Sequence, residues 1–255
     1  MPSRVRVPGF EPRHRVTVRL RLSEIALPTS ETRAAFIERL LQRLRETPSV
    51  AGASTTLNWL IPGAGGAQSL AFVEERPNPD GAPYRIQSRR VTPRYFETMG
   101  ISLVSGRDFD DHDRLGSQPV AIVSRSFAQR FWPDRDPIGR RVKRGVTTKQ
   151  WAIVVGVAED VRDVALDQAP RDTLYTPFLQ SAVSPLPVTL VIRTAEDPRA
   201  TIGAIRQTVG MWLFAAGPRP SALHLLITVD ELYPRVLLDP QADAAAGRAR
   251  WLPCC

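Results

Sequence analysis

Arg15-Val16-Thr17-Val18-Arg19-Leu20-Arg21-Leu22 alternates polar and apolar side chains without a break. Successive strand residues point to opposite faces, so this period of two predicts a strand with one face buried. The next apolar set has a different period. After Pro28, Thr29 and Ser30 offer hydroxyls to cap a helix, and Ala34, Phe36, Ile37, Leu40, Leu41 and Leu44 recur every three or four residues. Arg33, Glu38, Arg39, Arg43 and Arg45 cover much of the outer face, and the pattern ends before Pro48. Val50–Leu57 reads as a second strand, completing a strand-helix-strand unit. Near the other end, Val188–Arg193 is a strand and Pro198 opens an amphipathic helix through Ile202, Ile205 and Val209. That is a second unit of the same kind.

Between them the chain breaks into shorter pieces. Pro62-Gly63-Ala64-Gly65-Gly66 is a loop, Ser69–Glu74 a short strand, and Arg76–Pro83 a turn-rich linker. Tyr84–Val91 alternates again, and Thr92-Pro93 starts a short helix carrying Tyr95, Phe96 and Met99. Ile101–Phe109 is extended and turns at Gly106; Val120–Val123 is an apolar strand; Ser124 caps a helix that Pro133 stops. Trp151–Val157 is apolar enough to be buried on both faces, and Leu174–Phe178 is a short extended segment. The fold class expected is α+β.

The 255 residues, 43% hydrophobic, suffice for a real core, while 23 prolines and 16 glycines disfavour a helix bundle. A net charge of +8 permits contact with an anionic partner. The arginines are dispersed, however: Arg4, Arg6, Arg13, Arg15, Arg19 and Arg21 sit among apolar residues. A nucleic-acid reader concentrates its charge or interleaves it with stacking aromatics, so a solvated basic face is preferred and no nucleic-acid partner is expected. Cys254 and Cys255, adjacent at the end, neither close a long loop nor form a CxxC clip. The first 21 residues are too broken by Arg, Pro and Glu for a secretory signal. Met211–Gly217 and Leu223–Val229 are far shorter than the roughly 18 apolar residues of a spanning helix, so neither signal nor anchor is expected.

Candidate chemistry is sparse. Asp108, Asp110, Asp111 and Asp113 with His112 offer oxygen and nitrogen ligands to a cation, the basis of an alternative reading as a metal-assisted hydrolase. The cluster lacks the glycine and terminal Glu of an EF-hand loop, and a solvated turn with an Asp capping a short helix is preferred. Gly63, Gly65 and Gly66 precede no Lys-Ser/Thr, so a phosphate loop is not expected. Glu159 and Asp160 follow an apolar strand in the manner of an acid-base pair, but read better as a polar turn with Arg162 as partner. His14, His112 and His224 lack a local catalytic signature. Phe127, Phe131 and Trp132 at helical spacing are core, and Gly106, Gly139 and Gly156 serve turns or close backbone approach. No catalytic, cofactor-binding or metal residue is expected.

Several ordered blocks resemble one family. Val91-Thr92-Pro93-Arg94-Tyr95-Phe96-Glu97-Thr98-Met99-Gly100-Ile101 with Gly106-Arg107-Asp108-Phe109 resembles the VSPxYFxxxGI and GRxF signatures of the MacB-like periplasmic core domain of FtsX/MacB-type ABC transporter permeases. Val120–Ser124, Phe127–Pro133, Asp136–Arg140 and Ile153–Arg162 are similar to its following blocks, and Tyr175–Phe178 and Thr228–Leu232 complete the order. The resemblance covers about residues 9–240 and is closest to the orphan permease group. It implies a porter-like pair of strand-helix-strand units, about 12–62 and 185–235, with an inserted mixed α/β lobe, about 66–180. It supports a structural role for the acidic cluster.

By the same resemblance the function is that of a non-catalytic extracytoplasmic domain, periplasmic in the parent family. It would transmit conformational change and contact a substrate or partner protein. The implied partners are the membrane helices of a permease and a separate ATP-binding subunit. Family members carry a membrane helix before the residues matching Pro8-Gly9-Phe10 and another after those matching Val236–Pro240; neither is expected here. Residues 241–255 match nothing in the family and are expected to form a disordered tail. Hinges are expected at Gly63–Gly66 and Pro185–Pro187, where glycine and proline cluster.

Overall fold

The structure, a computed structural model, describes residues 9–11, 13–20, 27–57, 68–146, 150–162, 168–180, 188–215 and 225–231. The expected hinges, His224 and the 241–255 tail lie outside the described residues.

The opening alternation folds as β1 (Arg15–Leu20). Its even-numbered residues Val16, Val18 and Leu20 are fully buried, but the burial is not one-sided as the alternation predicts: Arg15 and Thr17 are buried as well, and Arg19 alone is exposed. Helix α1 (Ser30–Arg45) begins where Thr29 Oγ1 accepts from Thr32 N while Thr32 Oγ1 accepts from Thr29 N, a reciprocal cap. Phe36, Ile37, Leu40, Leu41 and Leu44 point inward, as their spacing predicts. Arg33 does not take the outer face expected of it: it is 8% exposed and donates to the carbonyls of Leu27 and Pro28. The guanidinium thereby ties the chain leading into α1 to the helix.

Strands β2 (Val50–Leu57), β10 (Val188–Thr194) and β11 (Leu225–Glu231) join β1 in an antiparallel sheet of order β11-β1-β10-β2. Helix α4 (Pro198–Ala215) starts with Asp197 Oδ1 accepting from Arg199 N at 2.9 Å. It packs with α1, and Ile205 and Val209 join the α1 and sheet residues in one apolar core. Strand-helix-strand repeated twice, with the third strand slotted between the first two, is the split βαβ arrangement.

The chain between β2 and β10 forms a second architecture. Strands β3 (Gln68–Val73), β4 (Tyr84–Val91), β7 (Arg141–Arg144), β8 (Ala152–Ala158), β6 (Val120–Ser124) and β9 (Thr173–Pro177) pair in the order β4-β3-β7-β8-β6-β9. Parallel pairing of β9 with β4 closes these strands into a ring. The register fixes its lining. Ser69, Ala71 and Val73 oppose Ile86, Tyr84 and Val142 on β4 and β7, and Ser88 and Arg90 oppose Leu174 and Thr176 on β9. Because opposed residues share a face, all of these point inward with Val142, Arg144, Ala121, Val123 and Val154. Helix α3 (Arg125–Phe131), capped by Ser124 Oγ accepting from Phe127 N, inserts Phe127, Phe131 and the following Trp132 into that core. The rings of Phe127 and Phe131 lie 4.6 Å apart.

Strand β8 is less buried than its composition predicts, since Ile153 and Val155 remain partly exposed. The ring interior covers one face, whereas β5 (Leu103–Gly106) covers only its far end, at Gly156–Ala158.

Candidate functional site where the sheet meets the barrel

Sheet and barrel share one continuous hydrogen-bonded path, but the strand link between them is narrow: β2 pairs with β4 only at Thr56–Val91 and Leu57–Arg90. Thr92 extends the link, its Oγ1 accepting from Thr55 N at 2.8 Å and its N–H donating to Thr55 O. Helix α2 (Tyr95–Met99) then lies against β2 and β10, and Tyr95, Phe96 and Met99 share a core with Val191. The helix begins later than Thr92-Pro93 predicts, because Arg94 stands at φ +65°, a left-handed conformation that a side chain disfavours. Gly100, at φ +69°, ends the helix, and Ile101 N reaches back to Phe96 O at 2.9 Å.

Asp108 supports this turn. Its carboxylate accepts from the backbone N–H groups of Phe109 and Arg94, and burial, with Glu97 nearby, pushes its pKa up to about 6. An unusual backbone at Arg94 and a carboxyl titrating near neutrality thus meet at one place.

The acidic cluster is an exposed turn at Asp110, Asp111 and His112, as expected, but Asp113 is not solvated. Asp113 is 6% exposed and receives a two-pronged bond from Arg107, Nη1 to Oδ2 at 2.8 Å and Nη2 to Oδ1 at 3.0 Å. It also accepts from Asp110 N at 3.0 Å. It therefore closes a loop rather than capping a helix. Asp110 contacts Arg107 and His112, whose side chain is 97% exposed. With a guanidinium at its centre the cluster is a poor cation site, and among the described residues no three His, Cys, Asp or Glu side chains are grouped to hold a metal.

The same loop touches the sheet's helix. Arg114 Nη2 bonds Glu38 Oε1 of α1 at 2.9 Å, and the two residues line a groove of about 340 Å³ with Ser30, Ala34, Leu115 and Leu179. Arg45, at the end of α1, donates to Ala53 O. Burial lowers its pKa, as does Arg94, while Asp111 and Glu97 oppose the shift. Glu97 pairs with Arg193 of β10 at 3.2 Å. Sequence reasoning missed this junction, since pairs such as Glu38–Arg114 and Glu97–Arg193 are remote in the chain and have no local signal.

The Glu159-Asp160 turn has different partners from those expected. Glu159 pairs with Arg125 and Asp160 Oδ1 accepts from Ser126 N at 2.8 Å, so both serve the start of α3. Arg162 bonds the Gln168 carbonyl instead. His14 Nδ1 contacts the Glu196 carbonyl at 2.9 Å.

The model of the MacB-like periplasmic core domain matches residues 10–208. The chain belongs to that family. Two solved structures have the same fold. The periplasmic region of MacB from Actinobacillus actinomycetemcomitans superposes with a TM-score of 0.51 at 13% identity, covering 86% of this chain and 90% of that one. The extracellular domain of the noncanonical ABC-type transporter YknZ from Gram-positive bacteria gives 0.52 at 16% identity, covering 82% and 99%. A sequence comparison with curated proteins finds no match. The MacB-like architecture agrees with the α+β class and the porter-like pairing that the motifs imply. Both solved relatives are periplasmic or extracellular regions of transporters. Among the described residues no helix is long and apolar enough to cross a membrane.

Proposed function

We propose that this MacB-like domain is a non-catalytic extracytoplasmic part of an ABC transporter permease. It relays movement of the membrane helices, driven by a separate ATP-binding subunit, to a substrate or partner protein outside. The observation that carries the reading is the asymmetry of the junction. On one side α2 is fixed to the sheet by apolar packing around Val191. On the other, a groove is spanned by Glu38–Arg114, a pair whose side chains are 39% and 53% exposed. An exposed ion pair contributes only about 0–1 kcal/mol, so the Arg114 loop lifts from α1 at small cost, while the apolar contacts of α2 and of Phe178, buried in the sheet's core, serve as pivot. The expected hinges at residues 63–66 and 185–187 belong to the same proposal.

Spin labels at Arg39→Cys on α1 and Asp134→Cys after α3, both exposed positions, test this in a chain with Cys254 and Cys255 changed to Ser. The expected result is a broad or double distance distribution that shifts when salt of about 1 M screens the surface pairs. A single narrow distance, unchanged by salt, overturns the pivoting mechanism.

A further inference from the structure

Arg90 and Arg144 both point into the barrel, Arg90 opposite Thr176 of β9 and Arg144 opposite Ala71 of β3. Both are partly buried, and burial lowers the pKa of each. What separates them from other buried arginines is their company. Arg15 has Glu11 nearby and Arg45 has Asp111 and Glu97, whereas no carboxylate among the described residues bears on Arg90 or Arg144. The charged neighbour of Arg144 is Arg90 itself, which repels it. Neither guanidinium has an ion pair or side-chain hydrogen bond among the described residues. Two like charges held near one another in a partly buried lining, with no counter-charge among the described residues, repel each other and favour an anion between them.

A second observation points the same way. Ser88 lies on the interior face of β4, one inward position from Arg90 and opposite Leu174. It is 2% exposed, and its Oγ is buried without a hydrogen-bond partner among the described residues. A buried hydroxyl with nothing to bond is rare. Two guanidiniums and a hydroxyl on one lining, none with a partner among the described residues, are a set of donors without an acceptor there.

The geometry points to an oxyanion site inside the barrel, in which Arg90, Arg144 and Ser88 hold a phosphate dianion, free or as a phosphomonoester headgroup. Two guanidiniums match the two negative charges, and their planar forks suit phosphoryl oxygens. The hydroxyl donates to a third oxygen. A monocarboxylate would leave one positive charge unneutralised.

Titration of the chain with inorganic phosphate, followed by calorimetry and thermal unfolding, tests the site. Saturable one-to-one binding with a rising Tm is expected for the parent chain. Arg90→Gln and Arg144→Gln should each weaken binding about tenfold or more, and Ser88→Ala by less. Arg85→Gln, exposed on the outer face of β4, should leave it unchanged. Without phosphate, Arg144→Gln should unfold at the same or a higher temperature, because it removes an uncompensated charge. That result separates loss of binding from loss of fold. Vesicles of phosphatidic acid in phosphatidylcholine identify the source. Binding abolished by Arg144→Gln indicates the lipid headgroup; binding of phosphate but not of vesicles indicates the free ion. Absence of binding to either, or equal affinity in Arg144→Gln and the parent, overturns the assignment.

Discussion

Gly156 lies in β8 directly opposite Gly106 of β5, and the two backbones approach too closely for a side chain. A Cβ built on Gly156 would stand 2.5 Å from the Arg107 carbonyl oxygen and 3.2 Å from Ile122 Cγ1. The first distance is about 1 Å shorter than an ordinary non-bonded contact, and the obstacle is backbone that cannot rotate away. Gly156→Val adds two further carbons there. Strand β5 would have to separate from β8, straining the Arg107 N–H bond to Val155 O, now 2.9 Å. Overpacking of a tight core costs about 1–3 kcal/mol, and with the strand contact disturbed we place this variant near the top, ~3 kcal/mol. At roughly 2–4 °C per kcal/mol for a domain of this size, Tm falls by about 6–12 °C. Circular dichroism melts of parent and variant measure it. Gly203→Ala is the control, because its new carbon meets nothing within 4 Å and alanine favours the helix; it should be neutral or stabilising by up to ~1 kcal/mol. If Gly156→Val melts within about 2 °C of the parent, the close approach of the strands is wrong.

Asp113→Ala should cost about 2 kcal/mol, since it leaves Arg107 and Asp110 N without their buried acceptor, discounted for the half-exposed guanidinium; urea unfolding reads this, and an unchanged midpoint would show the loop is not held there. Asp108 has a folded pKa of about 6 against an ordinary 3.8, so its contribution to stability is full below pH ~4 and lost as the pH rises through 6. Asp108→Asn should therefore match the parent near pH 4 and exceed it by at most ~3 kcal/mol at pH 7.5; an equal difference at both pH values refutes the burial argument. Adding Ca²⁺, Mg²⁺ or Zn²⁺ to the purified chain should leave Tm unchanged, because Arg107 occupies the centre of the acidic loop. A saturable rise with stoichiometric metal would instead favour the hydrolase reading.

Local order was legible where one element's pattern carries its own reason. The period of two at Val16–Leu20, the three-and-four spacing in α1 and the caps at Thr29 and Ser124 are short-range effects written in neighbouring residues. The ordered blocks from Val91 to Arg162 carried the family, and with it the α+β fold. Glycine 156 was readable as a close-approach position, although not what approached it.

Tertiary structure alone decided the rest. Closure of six strands into a ring depends on the parallel pairing of β4 with β9, about 86 positions apart at Gln87 and Thr173, and no local period encodes such a contact. It also changed the meaning of charged residues. Asp113 is buried against Arg107 rather than solvated; Arg125 and Ser126, not Arg162, hold the Glu159-Asp160 turn; and Arg90 and Arg144, remote in the chain, face the same barrel interior. The sequence by itself determined which segments become strands and helices, because backbone preference and amphipathic period act within a few residues. Which charges meet, and which meet none, was decided only when distant strands were brought into register.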